Sequence, residues 1–190
     1  MILTIALSYS QSIALNYNST GTGQNITANF SFDIKKSELG FGLGYTISTL
    51  AHPDNQYNVF YKRQFATEPL HHLNLNLFYH RYVFPNLDHI NIFLFYDFQG
   101  KHSAARNVIN SPLDDVIYHG PYYWLDNTIG LGFNVNIIGN WYVQQKIGAG
   151  GHFIIPSNKD ASRVDSEMYF INNFHWEIIG LLNIGIVYKL

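Results

Sequence analysis

Residues 181–190 read Leu-Leu-Asn-Ile-Gly-Ile-Val-Tyr-Lys-Leu and contain the clearest alternation in the chain. Every second side chain is apolar, namely Leu182, Ile184, Ile186, Tyr188 and Leu190. The intervening positions hold Asn183, Gly185 and Lys189, together with Leu181 and Val187. A period of two predicts a β-strand whose faces meet two different environments. A strand of a membrane barrel and the closing strand of a soluble β-protein would both show this pattern.

The same alternation recurs along the chain and predicts about ten strands. They are expected near residues 3–17, 25–34, 39–48, 57–65, 72–82, 89–97, 122–137, 141–153, 164–176 and 181–190. Each apolar face is about five residues long, which matches the ~9–11-residue strands that cross a bilayer. The opposite faces carry Asn, Ser, Thr, Gly and Gln, whereas a soluble domain covers its surface with charged residues. Alternate glycines such as Gly40, Gly42 and Gly44 leave room for bulky neighbours inside a small barrel.

The composition favours a membrane environment and excludes several functional classes. Charged residues make up 13% of the chain, against about 25% in soluble domains. Aromatic residues make up 16%. The net charge of −2 argues against nucleic acid as a partner. Because the chain has no cysteine, disulfides, cysteine metal sites and thiol catalysis are excluded. The chain contains no run of about 18 apolar residues, so no transmembrane helix is predicted.

The closing segment also resembles a known sequence signal. Asn183, Gly185, Tyr188 and Leu190 match the C-terminal insertion signal of outer-membrane β-barrel proteins, which places a polar residue, a glycine and two hydrophobic residues at this spacing. The chain departs from the commonest bacterial version by ending on leucine instead of an aromatic residue. The resemblance implies a location in the outer membrane of a Gram-negative bacterium. It also implies outer-membrane lipids and the outer-membrane insertion machinery as partners.

These features predict an all-β chain that forms a single domain over residues 1–190. The expected fold is an antiparallel up-and-down transmembrane β-barrel of about ten strands, with 8–12 possible. Lipid is then expected to contact Phe30, Phe41, Leu75, Ile92 and Leu131. The interior is expected to be lined by Asn29, Gly42, Asn76, Asn91 and Gly132. A soluble calycin-type barrel is the structural alternative, and it would invert every one of these orientations.

The beginning of the chain has two interpretations. Leu3, Ile5, Leu7 and Tyr9 keep phase with Ile13, Leu15 and Tyr17, which predicts one long first strand. Residues 1–7 also resemble the apolar part of a signal peptide, but they lack the positive charges that precede one. We therefore expect that an export signal has been removed or truncated, and that residues 1–10 are either strand or a remnant of that signal.

The expected interior contains a candidate polar network of His80, His89 and Asp97. Inward histidines near a carboxylate are able to bind a metal or shuttle protons. They also serve simply to fill a narrow lumen with satisfied polar groups. Inward charges of both signs predict internal ion pairs, and inward Phe78, Phe93 and Phe95 predict a filled lumen. No catalytic, cofactor-binding or metal-binding residue is assigned, because His102-Ser103 and the other Ser, His and acidic residues form no recognisable catalytic motif.

Long irregular segments at residues 100–121 and 156–163 are the candidate interaction regions. The first is a candidate interaction loop with Lys101, His102, Arg106, Asp114 and Asp115. A ten-strand count places both segments on the periplasmic side, where turns are normally short. We expect a non-catalytic structural or accessory subunit of an envelope complex, which contacts other envelope proteins through these loops. The alternatives are a lipid-modifying enzyme of the acyl hydrolase or acyltransferase type and a narrow channel.

Overall fold

The computed structural model describes residues 10–20, 23–49, 73–87, 89–103, 116–118, 122–156, 163–165 and 175–190. These residues form β1 (Gln11–Thr20), β2 (Gly23–Ile34), β3 (Ser37–Thr49), β4 (Leu73–Leu87), β5 (Ile90–Ser103), β6 (Val116–Tyr118), β7 (Tyr122–Ile138), β8 (Trp141–Pro156), β9 (Arg163–Asp165) and β10 (His175–Lys189). Within these ranges, no helix is long and apolar enough to cross a membrane.

Eight of these strands close into an antiparallel barrel in the order β1-β10-β8-β7-β5-β4-β3-β2. The short strands β6 and β9 pair with each other and form a separate two-stranded sheet. The prediction of an antiparallel barrel is confirmed, whereas the expected number of about ten strands is wrong. The expected strand at residues 57–65 lies outside the described residues, and β3 pairs directly with β4, so the barrel closes without it.

The expected ninth strand and the turn after it are also corrected. Residues 163–165 form β9 outside the barrel, while Trp176 belongs to β10, which continues without a turn through residues 177–180. The reason is that Ile179 and Leu181 point into the barrel and are buried. Inward apolar residues interrupt the apolar–polar alternation although the strand itself is continuous. The expected first strand lies partly outside the described residues, which begin at Ser10.

The orientation of the strand faces agrees with a membrane barrel. Phe41, Leu75 and Leu131 are exposed by 48%, 45% and 52% on the exterior. The interior positions Asn29, Asn76, Gly42 and Gly132 are buried. Phe30, Ile92 and Asn91 are partly buried. A soluble barrel would hide the apolar set from water, so the calycin-type alternative is excluded.

The strands that flank the three longest connections end at the side of the barrel opposite to Gln11 and Leu190. At one end, which we call the turn end, residues 35–36, 88–89 and 139–140 join adjacent strands. Gln11 and Leu190 meet at the same end, where the Leu190 amide donates to the Gln11 carbonyl at 2.8 Å. At the opposite, loop end lie the strand ends Thr20, Gly23, Thr49, Leu73, Ser103, Tyr122, Pro156 and His175. The ten-strand count placed the two long irregular segments at the same end as the chain termini. With eight strands, the strands that flank these segments end at the opposite side.

Inward glycines accommodate the aromatic rings of the neighbouring strands. A Cβ at position 40 would lie 2.1 Å from a ring carbon of Phe78, and one at position 132 would lie 2.3 Å from Phe93. Distances this short are impossible for real atoms, so each ring occupies the space that a side chain would need. The alternating glycines are thus part of the packing of the lumen, as the sequence predicted.

Candidate functional site

An aromatic layer fills the middle of the barrel. Phe78, Phe93 and Phe95 are each at most 4% exposed, and Leu181 packs with the last two. The His80 ring stacks on Phe93 with centroids 4.4 Å apart, and it also contacts Phe78 at 4.8 Å. These side chains come from β4, β5 and β10 and pack together in the interior of the barrel.

A chain of charged side chains lies in the same layer. Glu38 Oε2 is 3.0 Å from His80 Nδ1, and His80 Nε2 is 3.8 Å from Asp97 Oδ1. The other Asp97 oxygen accepts a hydrogen bond from Lys146 Nζ. The Lys146 ammonium also lies 5.2 Å from the centre of the Phe95 ring. Opposite charges and aromatic faces surround each buried ion, which is the arrangement that burial of charge requires.

Toward the turn end, hydroxyl groups complete the environment of Glu38. Tyr82 Oη donates to Glu38 Oε2 at 2.8 Å, and Ser12 Oγ donates to Oε1 at 3.1 Å. Ser31 Oγ also donates to Oε1. A carboxylate that accepts several hydrogen bonds is compensated for its removal from water.

Toward the loop end, Asp126 is the centre of a second charged group. His152 Nδ1 lies 2.5 Å from Asp126 Oδ1, and Lys101 Nζ lies 3.6 Å from Oδ2. The Trp124 and His152 rings meet edge to face with centroids 5.4 Å apart. All four side chains are buried.

Side-chain amides connect several strands between these two charged groups. Asn25 and Gln99 exchange hydrogen bonds of 3.2 and 3.1 Å across the lumen. Asn18 donates to Asn25 at 3.0 Å, and Asn183 donates to Asn18 at 2.6 Å. Such a network fixes the relative positions of strands that are distant in the barrel wall.

A cavity of about 20 Å³ remains between the two charged groups. Its lining includes Asp97, Gln99, Asp126 and Thr128. This volume is enough for about one water molecule. In the part of the chain that the structure describes, no group of three His, Cys, Asp or Glu side chains is arranged to hold a metal ion.

The structure brings together two of the three residues in the expected polar network. His80 and Asp97 are neighbours in the lumen, but His89 is exposed at the turn between β4 and β5. The separation follows from the register, since His80 pairs with Phe95 and β4 continues to Leu87 before the chain turns. His89 therefore lies far along the hairpin from His80.

The expected interaction loop is only partly a loop. Lys101 and His102 belong to β5, which extends to Ser103. Lys101 points inward and is buried against Asp126, and the His102 ring contacts that of Tyr123 at 5.2 Å. Arg106, Asp114 and Asp115 lie outside the described residues.

Sequence reasoning missed Glu38, because the third strand was expected to begin only at residue 39. The strand begins at Ser37, two residues earlier than expected from its apolar face at Leu39. A usable signal was present, because Glu38 has the same parity as the inward glycines at positions 40, 42 and 44. The charged group around Asp126 and His152 was also missed, since these residues lie on separate strands, β7 and β8.

The four residues of the expected insertion signal all lie at the end of β10. Asn183 is buried in the lumen, and Gly185 faces inward against Asn16. Tyr188 lies on the exterior, where its ring is 4.8 Å from that of Trp141. Leu190 follows the strand and is 60% exposed.

Comparison with solved structures shows a shared fold. The N-terminal β-barrel domain of Pseudomonas aeruginosa OprF is 10% identical, with a TM-score of 0.54 over 95% of this chain and 97% of that chain. A major outer membrane protein from Thermus thermophilus is 13% identical, with a TM-score of 0.45 over 96% and 99%. Neisserial surface protein A is 11% identical, with a TM-score of 0.40 over 96% of each chain. The match to the OprF barrel domain confirms, for the fold, the resemblance to small outer-membrane β-barrel proteins.

No protein-family model matches the chain, and no curated protein has a similar sequence.

Proposed function

We propose that this chain is an integral outer-membrane β-barrel with a filled lumen, and that it acts as a non-catalytic structural or accessory subunit of an envelope complex. The observation that carries the proposal is the buried aromatic layer of Phe78, Phe93 and Phe95. The buried ion pair of Lys146 and Asp97 lies beside this layer. A barrel filled in this way is rigid. Contacts with other molecules would then be made by the exterior of the barrel and by the connections at its ends.

The exterior supports the location in the outer membrane. Large apolar side chains are exposed on every barrel strand, as a bilayer-facing surface requires. Tyr17 and Tyr45 lie toward the loop end, while Trp141 and Tyr188 lie toward the turn end. Aromatic residues near both ends of an apolar belt are typical of the two membrane–water interfaces. The fold shared with the OprF barrel domain agrees with this location.

The connections give the barrel an orientation. Outer-membrane barrels have short periplasmic turns and longer extracellular loops, so the turn end faces the periplasm in this proposal. The connections at 50–72, 104–121 and 157–174 then face outward and supply the contacts with other envelope proteins. The bounds expected for the interaction regions, 100–121 and 156–163, are thereby corrected, because residues 100–103 and 156 belong to strands.

The arrangement of the interior serines supports the non-catalytic proposal. Acyl transfer by serine requires a neighbouring general base. Ser12 Oγ and Ser31 Oγ instead lie 2.5 Å apart, and both contact Glu38 Oε1. His80 uses its Nδ1 on the same carboxylate. Mass spectrometry of lipid A from cells with and without the protein is expected to give identical profiles, and a changed profile would favour the enzyme.

The insertion signal is part of the same proposal. Asn183, Gly185, Tyr188 and Leu190 would be recognised by the insertion machinery before β10 pairs with β1. Heat-modifiability on a detergent gel measures the result, since a folded barrel migrates differently before and after boiling. The purified protein is expected to show this shift, and one that remains soluble without detergent and shows no shift would refute the membrane barrel.

Conductance in planar bilayers tests the filled lumen. The wild-type protein is expected to give no stable current steps, because the aromatic layer occupies the lumen. The double variant Phe93→Ala/Phe95→Ala is expected to conduct, whereas Phe41→Ala on the exterior is a matched control that stays closed. Steady conductance of the wild type would show that the lumen is a channel. Isolation from mild detergent without any companion protein would count against the accessory role.

A further inference from the structure

Three basic residues cluster on the exterior at the turn end. Lys35 and Lys36 form the turn between β2 and β3, and both are exposed. Arg81 pairs with Ser37, the first residue of β3, and the Tyr82 amide donates to the Lys36 carbonyl at 2.9 Å. The register therefore places Arg81 beside the turn that carries the two lysines. We call these three residues the basic cluster.

Arg81 is held on the membrane-facing side of the wall. It continues the outward series of β4 after Leu77 and Tyr79, and it is exposed. Its Nη1 donates to Ser37 Oγ at 3.1 Å, and Ser37 Oγ is 2.9 Å from Tyr79 Oη. This contact uses one of the five N–H groups of the guanidinium. Among the described residues no other hydrogen bond of its side chain is present, and the rest of the guanidinium fork has no partner within that part of the chain.

The nearby described carboxylates do not neutralise the cluster. Glu38 points into the lumen, where His80, Tyr82 and the interior serines surround it. Asp33 is 3.5 Å from Lys189. Three positive charges thus face outward at the edge of the apolar belt, beside the hydroxyl of Tyr79. Away from the turn end, the described barrel strands present uncharged side chains on the exterior.

We propose that the basic cluster binds the phosphate of an anionic phospholipid in the periplasmic leaflet. This inference rests on the proposed function, because it requires the barrel to span the bilayer with its turn end toward the periplasm. A guanidinium fork matches phosphate oxygens in a bidentate geometry, and lysines near a membrane surface add attraction to anionic lipids. The acyl chains of the same lipid would lie along the apolar wall above Arg81.

Native mass spectrometry of the full chain tests the proposal. The protein is extracted in mild detergent, exposed to an equimolar mixture of phosphatidylglycerol and phosphatidylcholine, and the ratio of the two bound lipids is measured. The wild type is expected to prefer phosphatidylglycerol. Arg81→Gln is expected to reduce this preference about fivefold. Lys35→Asn/Lys36→Gln is a second test that leaves the strands untouched, and asparagine suits the positive φ of 57° at Lys35.

Lys189→Gln is the matched control, since it removes one positive charge at the same end of the barrel and is expected to leave the preference unchanged. Inorganic phosphate is added as a competitor to separate the two sources of the anion. Complete loss of lipid binding in its presence would identify a site for free phosphate and overturn the proposal. Equal preference in all variants would also overturn it. If the wild type shows the heat-dependent gel shift without any lipid preference, only this inference fails, whereas absence of the shift defeats the membrane barrel itself.

Discussion

Replacing Lys146 with methionine tests how much the buried charges contribute to the stability of the barrel. Lys146 is 3% exposed and Asp97 is 7% exposed, so both ions are removed from water. Within the described residues, Asp97 Oδ1 has no hydrogen-bond partner, and His80 Nε2 lies 3.8 Å from it. Removal of one partner from a buried pair costs about 3–5 kcal/mol, because the remaining charge is uncompensated. We expect the loss of stability in Lys146→Met to fall within this range, about 3–5 kcal/mol.

Equilibrium unfolding by urea in lipid vesicles, followed by tryptophan fluorescence, measures this change. The companion variants are Asp97→Asn and the double variant Lys146→Met/Asp97→Asn. The double variant is expected to recover most of the lost stability, because it leaves no unpaired ion and methionine fills the space of the lysine stem. A single variant within about 0.5 kcal/mol of the wild type would refute the reasoning. A double variant as unstable as the sum of the single ones would do the same.

Three further predictions concern packing and orientation. Gly132→Ala is expected to destabilise the barrel by about 1–3 kcal/mol, because the new methyl group meets the ring of Phe93. Gly100→Ala is the control that is expected to be tolerated, and urea unfolding compares the two variants. Gly185→Val places a Cβ 1.9 Å from the side-chain oxygen Oδ1 of Asn16 on β1. This variant is expected to lower the yield of folded barrel on a heat-modifiability gel, whereas Lys189→Gln is expected to leave the yield unchanged. Leu77→Arg, midway between the two ends of the apolar belt, is expected to cost roughly 2–4 kcal/mol near the bilayer midplane. A cost near zero in lipid vesicles would show that this side chain does not face lipid.

The face of each strand was predictable because a period-two strand has only two orientations. Phe41 and Leu75 are outside and Asn29 and Asn76 are inside, as alternation alone indicated. The number of strands was less predictable. Inward Ile179 concealed the continuity of β10, since an apolar residue on the polar face looks like the end of a strand. Local pattern also does not show which strands become neighbours, and that depends on the closure of the whole barrel.

The composition of the candidate site was predictable only in part. His80 and Asp97 lie on neighbouring strands, and their proximity followed from the hairpin. Lys146 lies on β8, which is separated from β5 by β7. Lys146 pairs with Gly132 on β7, and this pairing alone does not show that its ammonium group reaches Asp97 on the next strand. Contacts across a lumen are set by barrel diameter and strand stagger, and neither quantity is written in a local stretch of sequence.

The pairing of β1 with β10 has a consequence for the order of folding events. Asn18 and Asn183, which hydrogen bond across this seam, are 165 residues apart in the chain. Contacts of such long range are slow to form, because a large loop must close before they are gained. Until the seam closes, both strands present unpaired edges that are templates for aggregation. The time that the seam takes to close therefore sets how long these two strand edges remain exposed.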